Sequence, residues 1–294
     1  MTFKESEHAK NKAIESLAAV KQKIPLVHCI TNRVTITDCA NGLLSAGAAP
    51  IMAEDLREVE DITSISQALV INIGTLMPLQ IEAMLKAGKK AKTLGIPVIF
   101  DPVGAGATKL RDEVSKQIID DVKPDIIRGN MSEIRALYGF AGHTKGVEAA
   151  ASDAVTMENA KEASVIVKEM AEKFNCVVAA TGEVDILSDG KTVYYVANGH
   201  PMLCKITGSG CVLSAVTGGY AGAAKAADSV SKENLLNAAV GAFVLSGLAG
   251  EYAYAEVEKA GAGTGTFHCK YMDALNLIGE EDFRKNAKIY VFEE

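Results

Sequence analysis

Short runs of branched and aliphatic residues alternate with longer segments of helical periodicity through the first two thirds of this 294-residue chain, and few folds accommodate that alternation. The strand candidates are residues 26–30 (LVHCI), 49–52, 68–73 (ALVINI), 97–100, 125–128 and 176–180. Helical patterns occupy 35–45, 79–93, 109–121, 132–138 and 159–174 between them. The strand runs are apolar throughout rather than alternating, as strands covered on both faces are. Strand–helix alternation of this kind predicts an α/β protein with a mainly parallel central sheet and helices on both faces. Residues 186–196 (ILSDGKTVYYV) break the rhythm: Asp189-Gly190 lies between two strand-like halves and predicts an antiparallel hairpin on the sheet edge. Residues 1–23 predict an amphipathic helix with Ile14, Leu17 and Val20 as its stripe. The chain after Gly208 reads as largely helical, with helices around 235–258 and 267–278. No Pro-, Ser- or charge-rich linker divides the sequence, so a single domain over 1–294 is expected.

Ligands of an open parallel sheet bind beyond the carboxyl ends of its strands, and the residues just past each candidate strand here are polar. They include Thr31-Asn32, Asn72, Thr75, Asp101, Arg128-Gly129-Asn130 and Thr181-Gly182-Glu183. The stretch 206–215 (ITGSGCVLSA) sets Gly208, Ser209 and Gly210 before an apolar helical run that begins near Cys211. Such small residues let the backbone approach an anion, and the unpaired N–H groups of a helix start face it. The stretch has neither the Lys-Ser/Thr ending of a P-loop nor dinucleotide glycine spacing. A tight turn capping a core helix accounts for the same residues.

Asp101, directly after a strand, is expected to be fixed yet exposed at the sheet rim, and Glu133 begins the helix after the next strand. Two carboxylates beside a phosphate site suit Mg²⁺ held largely through water; a turn cap and a helix-dipole partner explain them equally well. Arg128 suits a phosphate clamp or an ion pair. At a helix start, Cys211 is expected to have a lowered thiol pKa. Met52 is either core or the neighbour of a flat ring. The glycines of 261–266 read as one helix end followed by another helix start, or as a contact for a base or ribose.

A net charge of −7 argues against nucleic-acid or anionic-membrane binding. The most apolar stretch, 238–250, is too short and glycine-rich for a bilayer span. Six cysteines without a CxxC pair fit reduced thiols, most of them core filler, and no secretory pattern opens the chain, so a cytoplasmic protein is expected. Neither a Gly-x-Ser-x-Gly elbow nor a His-Glu-x-x-His pattern is present, which counts against a serine hydrolase or a zincin.

The segments 31–53 (TNRVTITDCANGLLSAGAAPIMA), 68–76 (ALVINIGTL), 97–108 (PVIFDPVGAGAT), 125–134 (DIIRGNMSEI), 181–190 (TGEVDILSDG), 199–215 (GHPMLCKITGSGCVLSA) and 263–275 (GTGTFHCKYMDAL) together resemble hydroxyethylthiazole kinases of the ribokinase-like superfamily, in order and across nearly the whole chain. The resemblance implies a ribokinase-like three-layer fold. It also implies ATP-dependent phosphorylation of the hydroxyl of 4-methyl-5-(2-hydroxyethyl)thiazole for thiamine salvage, with Mg²⁺, in a homotrimer whose thiazole site lies near a subunit boundary. By motif it implies nucleotide contacts at Arg128 and Thr181, magnesium-region carboxylates at Asp101 and Glu133, and thiazole contacts at Met52, Gly208 and Asn32. It makes Gly208, Ser209, Gly210 and Cys211 the anion hole, with Cys211 where many ribokinase-like enzymes carry an Asp base. Kinases of hydroxymethylpyrimidine or pyridoxal are the near alternatives, disfavoured by Cys211 and by TNRVT at 31–35; a non-catalytic nucleotide sensor is the alternative from another class. Residues 142–158 match loosely and carry no assigned role.

Overall fold

A computed structural model describes residues 2–140, 155–228 and 230–293; most of the loosely matching segment 142–158 therefore lies outside the described residues. The first half of the chain runs β1 (Thr2–Glu5), α1 (Glu7–Lys23), β2 (Leu26–Ile30), α2 (Ile36–Ala46), β3 (Ala49–Ile51), α3 (Val59–Ile65), β4 (Ala68–Asn72), α4 (Pro78–Thr93), β5 (Val98–Asp101), α5 (Lys109–Val122), β6 (Ile126–Asn130) and α6 (Met131–Phe140). It continues with α7 (Ala160–Phe174), β7 (Val177–Thr181), β8 (Asp185–Ser188), β9 (Val193–Val196) and a short 3₁₀ turn at Pro201–Lys205. The last third holds α8 (Ser209–Ala226), α9 (Lys232–Ala260), α10 (Thr264–Leu277), α11 (Glu280–Asn286) and β10 (Ile289–Glu293).

All ten strands form one sheet in the order β1-β10-β9-β8-β7-β6-β5-β4-β2-β3. The run from β3 to β7 is parallel, and every pairing from β7 to β1 is antiparallel. Side chains of successive strand residues point to opposite faces, and here both faces are buried. Val27, Val70, Ile99 and Val177 pack beneath α1, α2, α8, α9 and α10, whereas Ile30, Ile71, Phe100 and Val178 pack beneath α4, α5, α6 and α7. The expected three layers are present, with the six apolar runs as the parallel strands, displaced by no more than two residues at either end.

Three features depart from expectation. The hairpin β8–β9 turns at Asp189-Gly190 but is interior, because β10 pairs with β9 through Ile289↔Val196 and Tyr290↔Tyr195. Residues 2–5 are strand rather than helix: they pair with β10 from Thr2↔Glu293 to Glu5↔Tyr290, and the Phe3 ring meets Tyr195 edge-on at 4.8 Å. Ser6 then caps α1 by accepting from the Ala9 amide. Lastly, α9 runs for 29 residues and passes for a bilayer span by length and composition, but 89% of its apolar window is buried. Packed against α1, α8 and α10, it is the central helix of its layer.

Candidate active site

Gly208 places α8. Its backbone lies at φ +85°, and the helix starts at the next residue without a side-chain cap. The first intrahelical bond runs from the Val212 amide to the Gly208 carbonyl at 2.8 Å, so the amides of Ser209, Gly210 and Cys211 have no partner one turn back. Three N–H groups at the positive end of an 18-residue helix make a seat for an anion. A Cβ on Gly208 would stand 2.5 Å from Thr35 Cγ2, so this turn is also where the β2–α2 loop comes closest to the cradle. The Ser209 hydroxyl is committed elsewhere, donating to the Leu203 carbonyl at 2.9 Å; only its backbone faces the seat.

Arg128, inside β6 rather than at a loop corner, is 7% exposed. Its Nη2 donates to Thr181 Oγ1 at 3.1 Å, and Thr181 ends the neighbouring strand β7. A Cβ on Gly210 would lie 2.8 Å from Arg128 Nη1, so the glycine is what allows the guanidinium to stack against the helix start. The two residues assigned to nucleotide and the amide seat are thus brought together.

Asp101 ends β5 and is wholly buried, which corrects the expectation that it is exposed at the rim. The carboxyl end of the strand is covered by α8: Ser214, one turn past the seat, donates to Asp101 Oδ2 at 2.7 Å. Asn72, at the end of β4, donates to the same oxygen at 2.8 Å, and Arg128 Nη1 stands 3.7 Å from it. The other oxygen, Oδ1, is buried and has no hydrogen-bond partner. Burial pushes the Asp101 pKa up to about 6 despite the Arg128 charge, and the Glu133 charge adds to the rise. Glu133, on the first turn of α6, accepts from the amides of Gly104 and Asn130, both at 2.8 Å, so it fastens the β5–α5 loop while facing the same centre. Arg111 fastens that loop from the other side, donating to the carbonyls of Val103, Ile73 and Gly74.

Asn72 continues the network outward, because its Oδ1 accepts from Asn32 Nδ2 at 3.0 Å. Asn32 Nδ2 also donates to Cys211 Sγ at 3.2 Å, and Asn32 Oδ1 accepts from the Thr35 amide and hydroxyl. A continuous chain of hydrogen bonds therefore joins Cys211 to Asp101 through two amides. Cys211 is half-buried, and desolvation with the nearby Asp101 charge raises its pKa, the opposite of the expected lowering by the helix start. The thiol is protonated at neutral pH. Met52 follows the edge strand β3 and packs partly buried against the same apolar cluster as Cys211 and Ile206.

Asn72 and Ser214 went unassigned in the sequence because one polar residue inside an apolar run does not announce its partner. Of the 261–266 glycines, Gly261 closes α9 at φ +60°, Gly263 opens α10 and Gly265 lies in its first turn. Cys29, Cys39 and Cys176 are buried, whereas Cys204 and Cys269 are exposed, so core filling accounts for half of the thiols. Among the described residues, no group of three or more His, Cys, Asp or Glu side chains is placed to hold a metal directly. An orphaned buried carboxylate oxygen on Asp101, with Glu133 beside it, suits a magnesium ion that keeps most of its water.

The model of the hydroxyethylthiazole kinase family matches residues 17–281. The chain is similar to a hydroxyethylthiazole kinase of Clostridium botulinum (strain Eklund 17B / Type B), 45% identical over 95% of this chain and 96% of that one. A counterpart in Ruminiclostridium cellulolyticum is 47% identical, with 93% and 95% covered. Among solved structures, a hydroxyethylthiazole kinase protein from Pyrococcus horikoshii OT3 superposes with a TM-score of 0.83 at 38% identity, covering 96% of this chain and all of that one. A ribokinase-like superfamily protein from Enterococcus faecalis V583 shares the fold at TM-score 0.60 and 11% identity, over 90% of this chain and 88% of its own.

Proposed function

The chain belongs to the hydroxyethylthiazole kinase family, and from that membership we propose that the cradle at 208–211 transfers a phosphoryl group from ATP to the hydroxyl of 4-methyl-5-(2-hydroxyethyl)thiazole. The observation that carries the reading is the convergence of three uncapped amides, Arg128 and the orphaned Asp101 oxygen at the carboxyl end of one sheet.

Phosphoryl transfer spreads charge over oxygens in a loose transition state, so fixed donors at the point of transfer do most of the work. The amides of Ser209, Gly210 and Cys211 and the Arg128 guanidinium are such donors, already oriented before substrate arrives. Thr181 steers the guanidinium. Asp101 and Glu133 are the residues to hold Mg²⁺, which when bound neutralises phosphate charge. Asn32, Cys211 and Gly208 line the alcohol side, with Met52 against the ring. Because its thiol is protonated, Cys211 acts on the alcohol as a weak partner rather than as a strong base. Replacing Cys211 by Ala is expected to lower kcat about tenfold to a hundredfold, while Cys211→Asp retains activity. A wild-type rate in Cys211→Ala would leave this residue only its backbone amide.

The direct test is ADP release with a panel of thiazole, pyrimidine and pyridoxal alcohols, with and without Mg²⁺. Release is expected to need both the hydroxyethylthiazole and the metal; equal turnover with hydroxymethylpyrimidine would sink the assignment, and no turnover with any alcohol would favour a nucleotide sensor.

We further read residues 1–294 as one domain, since strands from residues 2–5 and 289–293 complete the same sheet. We assign the protein to the cytoplasm, where free thiols and ATP coexist. We also assign it to a homotrimer with its thiazole sites at subunit boundaries. Val34, 66% exposed beside Asn32, and Leu79, 67% exposed at the start of α4, supply apolar surface at the rim of the site. Light scattering is expected to give about three times the 30.9 kDa chain; a fully active monomer would exclude the trimer as the catalytic unit.

A further inference from the structure

We propose that Gln80 and His28 are positioning residues that strap the irregular segment 52–58 to the sheet and thereby set the pocket for the thiazole ring. The proposal rests on the assignment of Met52 and Asn32 as thiazole contacts, Met52 against the ring and Asn32 on the alcohol side.

Strand β3 is three residues long and lies at the sheet edge, and the chain has no regular structure between its end at Ile51 and the start of α3 at Val59. A segment of this kind has no strand ladder to locate it, so its position depends on side chains. Two buried ones hold the part beside Met52, while the exposed Lys86 donates to the Leu56 carbonyl at 2.9 Å farther along. His28, wholly buried in β2, has Nε2 2.8 Å from the carbonyl of Ala53, the residue after Met52. A carbonyl only accepts, so Nε2 carries the proton, and Nδ1 is an acceptor 2.9 Å from Thr63 Oγ1 on α3, whose one proton it shares with the Val59 carbonyl at 2.7 Å. The ring thus fastens the segment next to Met52 and also the helix into which the segment runs.

Gln80, on the first turn of α4 and 4% exposed, makes the second fastening. Its amide nitrogen donates to Glu54 Oε2 at 3.0 Å and to the carbonyl of Thr31 at 3.0 Å. Thr31 precedes Asn32, and Glu54 is two residues past Met52. One amide group therefore ties together the loop that carries Met52 and the loop that carries Asn32. Both partners are acceptors, which fixes the amide orientation and leaves Gln80 Oε1 buried without a partner. An arrangement optimised only for stability would satisfy that oxygen. The exposed Arg33–Glu54 pair, at 3.3 Å, adds little to the fastening in solvent.

The test is equilibrium binding of hydroxyethylthiazole to the full chain by calorimetry, with the KM for ATP measured in parallel. Gln80→Met and His28→Leu are each expected to weaken thiazole binding about tenfold to thirtyfold while leaving the KM for ATP within about twofold. His28→Gln, whose side-chain nitrogen reaches the place of Nε2, is expected to bind thiazole like the wild type. Gln80→Glu would set two carboxylates face to face and lose at least as much as Gln80→Met; adding Glu54→Gln is expected to recover part of that loss. Met52→Ala serves as the independent check on the ring contact. If Met52→Ala weakens the thiazole while Gln80→Met and His28→Leu leave it unchanged, the strap is overturned and the ring site stands. If Met52→Ala also has no effect, the ring site itself is misassigned. Equal losses for ATP and thiazole, or a His28→Gln variant as weak as His28→Leu, would signify general loosening and also overturn the proposal.

Discussion

Asp101→Asn is expected to lower kcat by about three decades and to make the protein more stable. The loss follows from removing the carboxylate charge beside Arg128 and the start of α8, where the proposed transfer takes place. The gain follows from linkage. Burial holds the Asp101 pKa at about 6 in the folded chain, against about 3.9 for an exposed aspartate. Below about pH 4 both states hold the proton; as pH rises toward 6 the unfolded chain releases it first, so the native state loses stability, and above 6 the full penalty of about 3 kcal/mol remains. The substituted amide is neutral and nearly the same shape. Its oxygen can accept from Asn72 and Ser214 as Oδ2 does now. Some of the gain is forfeited because Arg128 loses a charge partner at 3.7 Å, leaving about 1–3 kcal/mol at pH 7.5. Melting curves in chelator between pH 4 and 8 should show a decline in the wild type that the variant lacks. Turnover of the variant within tenfold of wild type, or the same pH decline in both proteins, would remove Asp101 from its proposed place.

The second large effect is expected from Gly210→Val. The backbone of Gly210 is not in the left-handed region, and within a helix Val is preferred to Gly by a few tenths of a kcal/mol, so folding should be unharmed. The new Cβ nevertheless lands 2.8 Å from Arg128 Nη1, and the guanidinium, being the movable end of its side chain, has to leave its position beside Thr181 and Asp101. A fall of about two to three decades in kcat/KM for ATP is expected, with a melting temperature lowered by only about a few degrees as Arg128 leaves Asp101. In an Arg128→Ala background the same substitution should cost little more, because the group it displaces is already gone. Full additivity of the two losses would show that Gly210 acts through the bound phosphate and not through Arg128. Gly208→Val offers no such separation: φ +85° and a 2.5 Å approach to Thr35 would damage the fold and the cradle together.

The parallel half of the sheet was legible because strands buried on both sides have to be apolar throughout, and such runs stand out between amphipathic helices. The start of α5 was placed at Lys109, where Thr108 caps it, whereas α9 starts behind the cap Ser231, three residues before the expected 235. What escaped was pairing between remote segments. Residues 2–5 and 289–293 form strands because each finds the other, and no local pattern records a partner more than 280 positions away. The seven-residue helices α3 and α11 are shorter than the window over which a helical period can be recognised. In the site, the glycines and the residue types were visible, whereas the burial of Asp101 was not. It depends on α8 lying across the end of β5, a contact between residues 113 apart. The raised pKa of Cys211 escaped in the same way, since it comes from burial and the Asp101 charge, and reading the helix start alone gives the wrong sign.

The placement of β10 between β1 and β9 imposes an order on how this sheet can be finished. On a chain emerging from the ribosome, Thr2–Glu5 is the first strand made, yet the ladder it joins does not exist until Ile289–Glu293 has been synthesised and has docked on β9. Until then β9 presents a free antiparallel edge, open to pairing with another nascent chain. Thr2–Glu5 therefore waits for Ile289–Glu293, and the interval between the two is set by translation of the residues that separate them and not by the intrinsic speed of strand pairing.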